Sequence, residues 1–165
     1  MQEGRFLGNG VPLYAFTNGH QHQFCLALYV RAGSLFESQE QNGITHLFEH
    51  MVFRNLKRKY GGEFYDLLQL HGLYFSGSTY REFLRFSIEG PVFGFAFAAE
   101  ILQGIFEEIR VGSAEYAHEK ARIKAEIREK DEQNSLDHFF LNHVWKGTNN
   151  EKTCWVTARC SIPYL

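Results

Sequence analysis

An α+β fold, a layered antiparallel sheet with helices, is the architecture this sequence predicts, and three observations predict it. The segments order as β-β-α-α-β-β-α-α-α, so strands come in adjacent pairs and helices come in blocks. A length of 165 residues leaves room for one domain. A composition of 44% hydrophobic and 22% charged residues is that of a globular chain, and 16 Phe supply a substantial core or a buried contact with a partner.

Residues 11–16 (VPLYAF) and 23–32 (QFCLALYVRA) are rich in β-formers and flank the turn signal Thr17-Asn18-Gly19-His20. The second run is apolar on both faces, with Phe24, Leu26, Leu28 and Val30 against Cys25, Ala27 and Tyr29. That pattern predicts a strand covered on both sides in the middle of a layered fold. After a polar loop at 33–42, Ile44, Leu47, Phe48, Met51 and Val52 recur at helical spacing from about Gly43 to Leu56. A second helix is expected from about Gly62 to Leu70, stopping at His71-Gly72. Residues 73–79 and 82–90 read as two strands, with Phe83, Phe86, Leu84 and Ile88 filling the two faces of the second. Pro91 suits the first turn of a helix running to about Ile109, whose Phe93, Phe95 and Phe97 are expected in the core. Ser113 caps a long charged helix reaching about Gln133, and residues 134–146 form one more helix. Residues 1–147 thus make one domain, and 148–165 form a tail without pattern.

The 17 basic and 19 acidic residues leave a formal net charge of −2, which argues against a general nucleic-acid binder. Cys25, Cys154 and Cys160 make no paired framework, so a reducing compartment is expected, with Cys25 a small buried apolar residue. The N-terminus lacks a secretory layout, and Pro91 to Leu102, the most apolar long stretch, is too short to span a bilayer. A cytoplasmic protein with no membrane span is the expectation.

The first predicted helix contains His46-Leu47-Phe48-Glu49-His50. Residues i and i+4 stack on one helix face, so His46 and His50 can offer two imidazole nitrogens to one metal ion. Glu49 lies beside that face, where its carboxylate can reach a metal-activated water without being a ligand. A catalytic zinc takes three protein ligands and an open position, and a nearby carboxylate can take the proton of its water. The bland alternative has one histidine satisfied in the interior and the other solvated. It is weakened by Leu47, Phe48 and Met51, which seat the helix in a core. A third ligand is sought on the helix over 113–133, where Tyr116, Glu119, Ile123, Glu126, Ile127 and Lys130 share one stripe. A carboxylate directed inward there needs a partner, which a metal or a ligand histidine provides. Glu115, Glu129 and Glu132 lie off the stripe and are read as solvated, as are His20, His22 and the basic run Arg54, Lys57, Arg58 and Lys59. His138 and His143, five apart, share no helical face.

These residues carry a family resemblance. The H-x-x-E-H order is that of the inverzincins, and the chain resembles the pitrilysin, insulysin and mitochondrial processing peptidase family of zinc metallopeptidases. Glu37, Asn42, Gly43, Ile44 and Thr45 lead into the motif as in the family, and Met51-Val52-Phe53 follow it. The resemblance spans about residues 8 to 147. It implies that His46, His50 and Glu126 bind Zn2+, that Glu49 is the general base, and that Glu119 orients a ligand histidine. It also implies a pitrilysin-like α+β domain.

Residues Tyr74, Phe75, Ser76, Gly77, Ser78 and Thr79 resemble the edge strand on which the family lays its peptide substrate by β-augmentation. An ordinary solvent-facing edge strand would suit the same small residues. Ser76 stands where the family commonly has Asn, which alters one substrate contact. Family enzymes complete the cleft with a second, homologous domain, and the length of 165 residues holds one. The implied protein is therefore a zinc endopeptidase or its catalytic subunit, acting on small or extended peptides as a homo-oligomer or with a homologous partner subunit. The competing expectation is a non-catalytic peptide-binding or scaffold subunit.

Overall fold

A computed structural model describes residues 2–38, 40–133, 143–144 and 146–147. Most of the helix expected over 134–146, and all of 148–165, lie outside the described residues. Two sheets are present among the described residues. Strands β1 (Gln2–Phe6) and β2 (Pro12–Phe16) form an antiparallel hairpin, with Phe6 opposite Pro12. Strands β3 (Gln23–Val30), β4 (Tyr74–Thr79) and β5 (Leu84–Pro91) form an antiparallel sheet in the order β3-β5-β4. The helices are α1 (Ile44–Lys59), α2 (Phe64–Leu70), α3 (Phe95–Gly104) and α4 (Ser113–Gln133). The architecture is α+β, as the element order predicts.

Four expectations are corrected. Strand β2 pairs with β1 and not with β3. The segment QEGRF of β1 has almost no β-forming composition, so its strand character comes from pairing across the turn at Gly8–Gly10. Among the described residues strand β3 has β5 as its one neighbour, and β5 takes the middle. The outward residues Cys25, Ala27 and Tyr29 stand beside Glu89, Ser87 and Arg85 of β5, a polar face, and all three are exposed. Cys25 is therefore a surface thiol rather than a buried one. Pro91 ends β5 in an extended conformation, φ −71° and ψ 153°, because it is still paired with Gln23. A 3₁₀ turn over Val92–Gly94 follows, so α3 begins at Phe95 and leaves Phe93 and Phe95 exposed. Phe97 alone of the three packs against the core, its ring stacked on His71.

The core lies between the inner face of the three-stranded sheet and helices α1, α2 and α3. Period-two alternation sends Leu84, Phe86 and Ile88 of β5 inward, where they are completely or almost completely buried. They meet Val52 and Leu56 of α1, Phe64 and Leu68 of α2, and Ala98 and Ile101 of α3. Each of these side chains except the small Ala98 contributes about 1.5–3 kcal/mol on burial. A second, smaller cluster joins α1 to α4 through Leu47, Met51 and the fully buried Ile123. Among the described residues no helix is long and apolar enough to cross a membrane.

Candidate metal centre

Helix α1 starts at a position fixed by a buried carboxylate. Gly43 adopts the left-handed conformation, φ 94°, as the chain turns into the helix, which a side chain would resist. The Glu37 carboxylate accepts hydrogen bonds from the backbone N–H groups of Gly43 (2.6 Å) and Thr45 (2.9 Å). It satisfies amides that the helix leaves unpaired and places a negative charge at its positive end. The Glu37 to Thr45 lead-in thus sets the start and the rotation of the helix that carries His46, Glu49 and His50. At the other end Lys57, Arg58 and Lys59 occupy the last turn and are exposed.

Burial of Leu47 and Met51 against Ile123 draws the motif face of α1 onto α4. On α4, Glu119, Ile123 and Glu126 fall at i, i+4 and i+7, so both carboxylates flank the apolar contact. One oxygen of Glu126, Oε2, lies 3.8 Å from His46 Nε2 and 3.6 Å from His50 Nε2. Its other oxygen accepts a hydrogen bond from Arg122 Nε at 3.2 Å, which turns Oε2 toward the imidazoles. The ligating atoms of His46, His50 and Glu126 all lie within 4.8 Å of one another. These separations exceed hydrogen-bond length but suit ligands shared by one ion. Two atoms each about 2.0–2.2 Å from a tetrahedral zinc sit roughly 3.3–3.6 Å apart. The donor set, two imidazoles and one carboxylate, also suits zinc.

Glu119 sits behind the histidines and is 1% exposed. Its Oε2 accepts from His50 Nδ1 at 3.0 Å, which assigns the proton to Nδ1 and leaves the Nε2 lone pair facing Glu126. Its Oε1 accepts from Arg54 Nε at 2.5 Å and also from Arg54 Nη2. Burial pushes the Glu119 carboxyl up, but the hydrogen bonds from His50 and Arg54 and the Arg54 charge outweigh it and hold the group below its ordinary range.

Glu49, one residue before His50, points to the sheet rather than to α4. Its Oε2 accepts a hydrogen bond from Thr79 Oγ1 at 2.5 Å. The alternation of β4 directs Phe75, Gly77 and Thr79 to this inner face, and Tyr74, Ser76 and Ser78 to the outer one. Phe75 is a core residue whose ring meets those of Phe53 and Phe86, which also touch each other. Ser76 bonds Ser87 on the outer face, Oγ to Oγ 2.9 Å. Gly77 is small because α1 is close: a Cβ there would lie 2.7 Å from Phe53 Cε2 and 3.0 Å from Glu49 Cγ. Strand β4 is a sheet edge, with β5 its one neighbour among the described residues. Tyr80 N–H donates to Phe83 C=O across the β4–β5 turn. By antiparallel alternation, Ser78 and Ser76 then bond β5, while the N–H and C=O groups of Phe75, Gly77 and Thr79 point toward the edge. An open cavity of about 290 Å³ lies beside Glu49 and His50, between Phe53, Lys57 and Tyr65 on one side and Arg122 and Glu126 on the other.

The residues expected in the site therefore converge, with different geometry at β4. Its edge offers backbone groups, whereas the side chains of Phe75 and Thr79 are buried inward. Arg54 was expected in a solvated helix end with Lys57, Arg58 and Lys59, and it instead binds the buried Glu119. The signal that marks it is position: Arg54 follows His46 and His50 by one further step of four on the same helix stripe.

Comparison with known proteins identifies the family and the fold. The family described as Insulinase (Peptidase family M16) matches residues 14–157. The chain is 28% identical over 123 residues to the mitochondrial-processing peptidase subunit beta of Mus musculus, covering 74% of this chain and 25% of that protein. It is 31% identical over 77 residues to the probable zinc protease PqqL of Haemophilus influenzae, covering 46% of this chain and 8% of that protein. Its fold matches the crystal structure of a protease from Helicobacter pylori with a TM-score of 0.86 and 19% identity, over 100% of this chain and 41% of that one. The chain thus spans about a quarter of the length of the mitochondrial relative. With the match over residues 14–157, the chain belongs to the insulinase family of peptidases, family M16.

Proposed function

We propose that this chain is the catalytic, zinc-binding domain of a metallopeptidase that hydrolyses peptide bonds in small or extended peptides. The observation that carries the proposal is the convergence of His46 Nε2, His50 Nε2 and Glu126 Oε2 on one point beside Glu49. These three residues would hold zinc. When bound, zinc supplies Lewis acidity, which polarises a carbonyl and makes water a nucleophile at neutral pH. Glu49 takes the proton from the attacking water and delivers it to the leaving amine. Glu119 holds His50 in the tautomer that directs Nε2 into the site, and Arg54 keeps Glu119 ionised in a buried setting. The peptide lies as an added strand along β4, bonded to the edge-directed groups of Phe75, Gly77 and Thr79, with its side chains reaching the cavity beside Phe53.

A second domain or a homologous subunit completes the cleft. The related mitochondrial protein is by its name one subunit of an assembly, which supports such a partner. The name of the Haemophilus relative supports zinc. The test compares wild type with Glu49→Gln for bound zinc and for hydrolysis of an unstructured protein, fluorescein-labelled β-casein. Both proteins are expected to bind zinc, and only the wild type to cleave. Zinc binding without cleavage by the wild type, alone and with any co-encoded homologue, would favour a scaffold subunit instead.

A further inference from the structure

We infer that Thr79 is a positioning residue for Glu49, so that the strand offered to the peptide also sets the general base. The inference rests on the peptidase reading above and deepens it. Glu49 sits on α1, and three features of β4 fix where its carboxylate can be. Thr79 Oγ1 donates to Glu49 Oε2 at 2.5 Å, a short hydrogen bond to a charged acceptor and so one of the stronger kind. Thr79 itself is 3% exposed, and its β-branched side chain on a strand has few rotamers, so the donor cannot swing away. Gly77, two residues back on the same face, leaves open the space in which the Glu49 side chain lies; a Cβ there would come within 3.1 Å of Glu49 Oε1. The carboxylate is thus laid flat against the strand by an absent side chain at 77 and held by a hydroxyl at 79.

Thr79 and Gly77 are also positions whose backbone groups point to the edge of β4 away from β5, open among the described residues. A peptide bonded to that edge shares a rigid element with the residue that orients Glu49. Its backbone is thereby placed in fixed register with the base, which is what a proton-transfer geometry requires. The hydroxyl at 79 is needed for orientation and not for holding the peptide, whose bonds go to main-chain groups.

The experiment uses the full chain with any co-encoded homologue and labelled β-casein as the probe, comparing wild type, Thr79→Val and Thr79→Ser. Thr79→Val keeps the shape and removes the donor. It is expected to bind zinc as wild type does and to keep KM within about twofold, while kcat falls roughly 10- to 100-fold. Thr79→Ser is expected to recover most of that loss. A crystal structure of zinc-free Thr79→Val is expected to show Glu49 spread over more than one rotamer, against one in the wild type. Unchanged kcat in Thr79→Val, no recovery in Thr79→Ser, or Glu49 held in its single wild-type rotamer without the hydroxyl would each overturn the inference. If Thr79→Val does not fold, Thr79→Ala takes its place in all measurements. A wild type that cleaves nothing would sink the peptidase reading, and the rotamer comparison would still decide the role of Thr79.

Discussion

Helix α1 is shared by two packing regions made of different materials. Its Val52 and Leu56 enter the sheet core, where β5, α2 and α3 contribute apolar side chains almost without interruption. Its Leu47 and Met51 enter the contact with α4, where Ile123 is the one fully buried apolar partner among the described residues. On either side of that isoleucine stand Glu119 and Glu126, with His46, His50 and Arg54 facing them. The first region is cohesive because it excludes water from a large apolar area. The second gains little from area and depends on each carboxylate having a partner, since a buried charge without one is costly. The difference separates two properties: the sheet core supports the fold, and the α1–α4 contact supports the site.

Substitutions graded across the two regions can break this division. The largest expected effect is Phe86→Ala, at a completely buried position in the middle strand, which should destabilise the chain by about 3–5 kcal/mol in urea unfolding. Ile123→Ala should cost less, about 2–3 kcal/mol, because the smaller cluster has fewer neighbours to lose and more freedom to relax. Its effect on zinc affinity should be larger than that of any substitution in the sheet core, at least tenfold by competition with a chelator, since it loosens the helix that carries Glu126. Ile123→Ala with wild-type zinc affinity would show that α4 is placed by something other than this contact. Arg54→Ala removes a partly exposed guanidinium but leaves Glu119 buried without the two donors that Arg54 supplies. About 1–2 kcal/mol of stability should be lost, together with a several-fold loss of zinc affinity through His50. Lys57→Ala, at the exposed end of the same helix, should change stability by less than about 0.5 kcal/mol and leave zinc binding unaltered.

The site was more legible in the sequence than the sheet. Spacing alone puts His46 and His50 on one helical face, and acidic residues sharing a stripe with Ile123 stand out because an inward carboxylate demands a partner. Arg54 was hidden by its neighbours, since a guanidinium followed by Lys57, Arg58 and Lys59 reads as solvent-facing until its phase with the histidines is counted. Gly77 and Thr79 read as one continuous peptide platform with Ser76 and Ser78. Strand alternation splits the four, and the small size of Gly77 serves the approach of α1 rather than that of a peptide. In the sheet, β1 could not be read from Gln2-Glu3-Gly4-Arg5-Phe6, because pairing and not composition makes it a strand. The apolar faces of β3 identify a strand but not its neighbours, and the polar cross-strand partners of Cys25 and Ala27, Glu89 and Ser87, lie 64 and 60 positions away in sequence.

Zinc titration of the metal-free chain, wild type beside Glu126→Gln, tests most directly that the α1–α4 contact is a metal site. One zinc per chain bound by the wild type is predicted, with affinity reduced at least tenfold in Glu126→Gln and no loss of stability in the metal-free state, where that carboxylate is partly exposed and paired mainly with Arg122. A wild type that binds no zinc, or a Glu126→Gln variant that binds it equally well, would contradict the account.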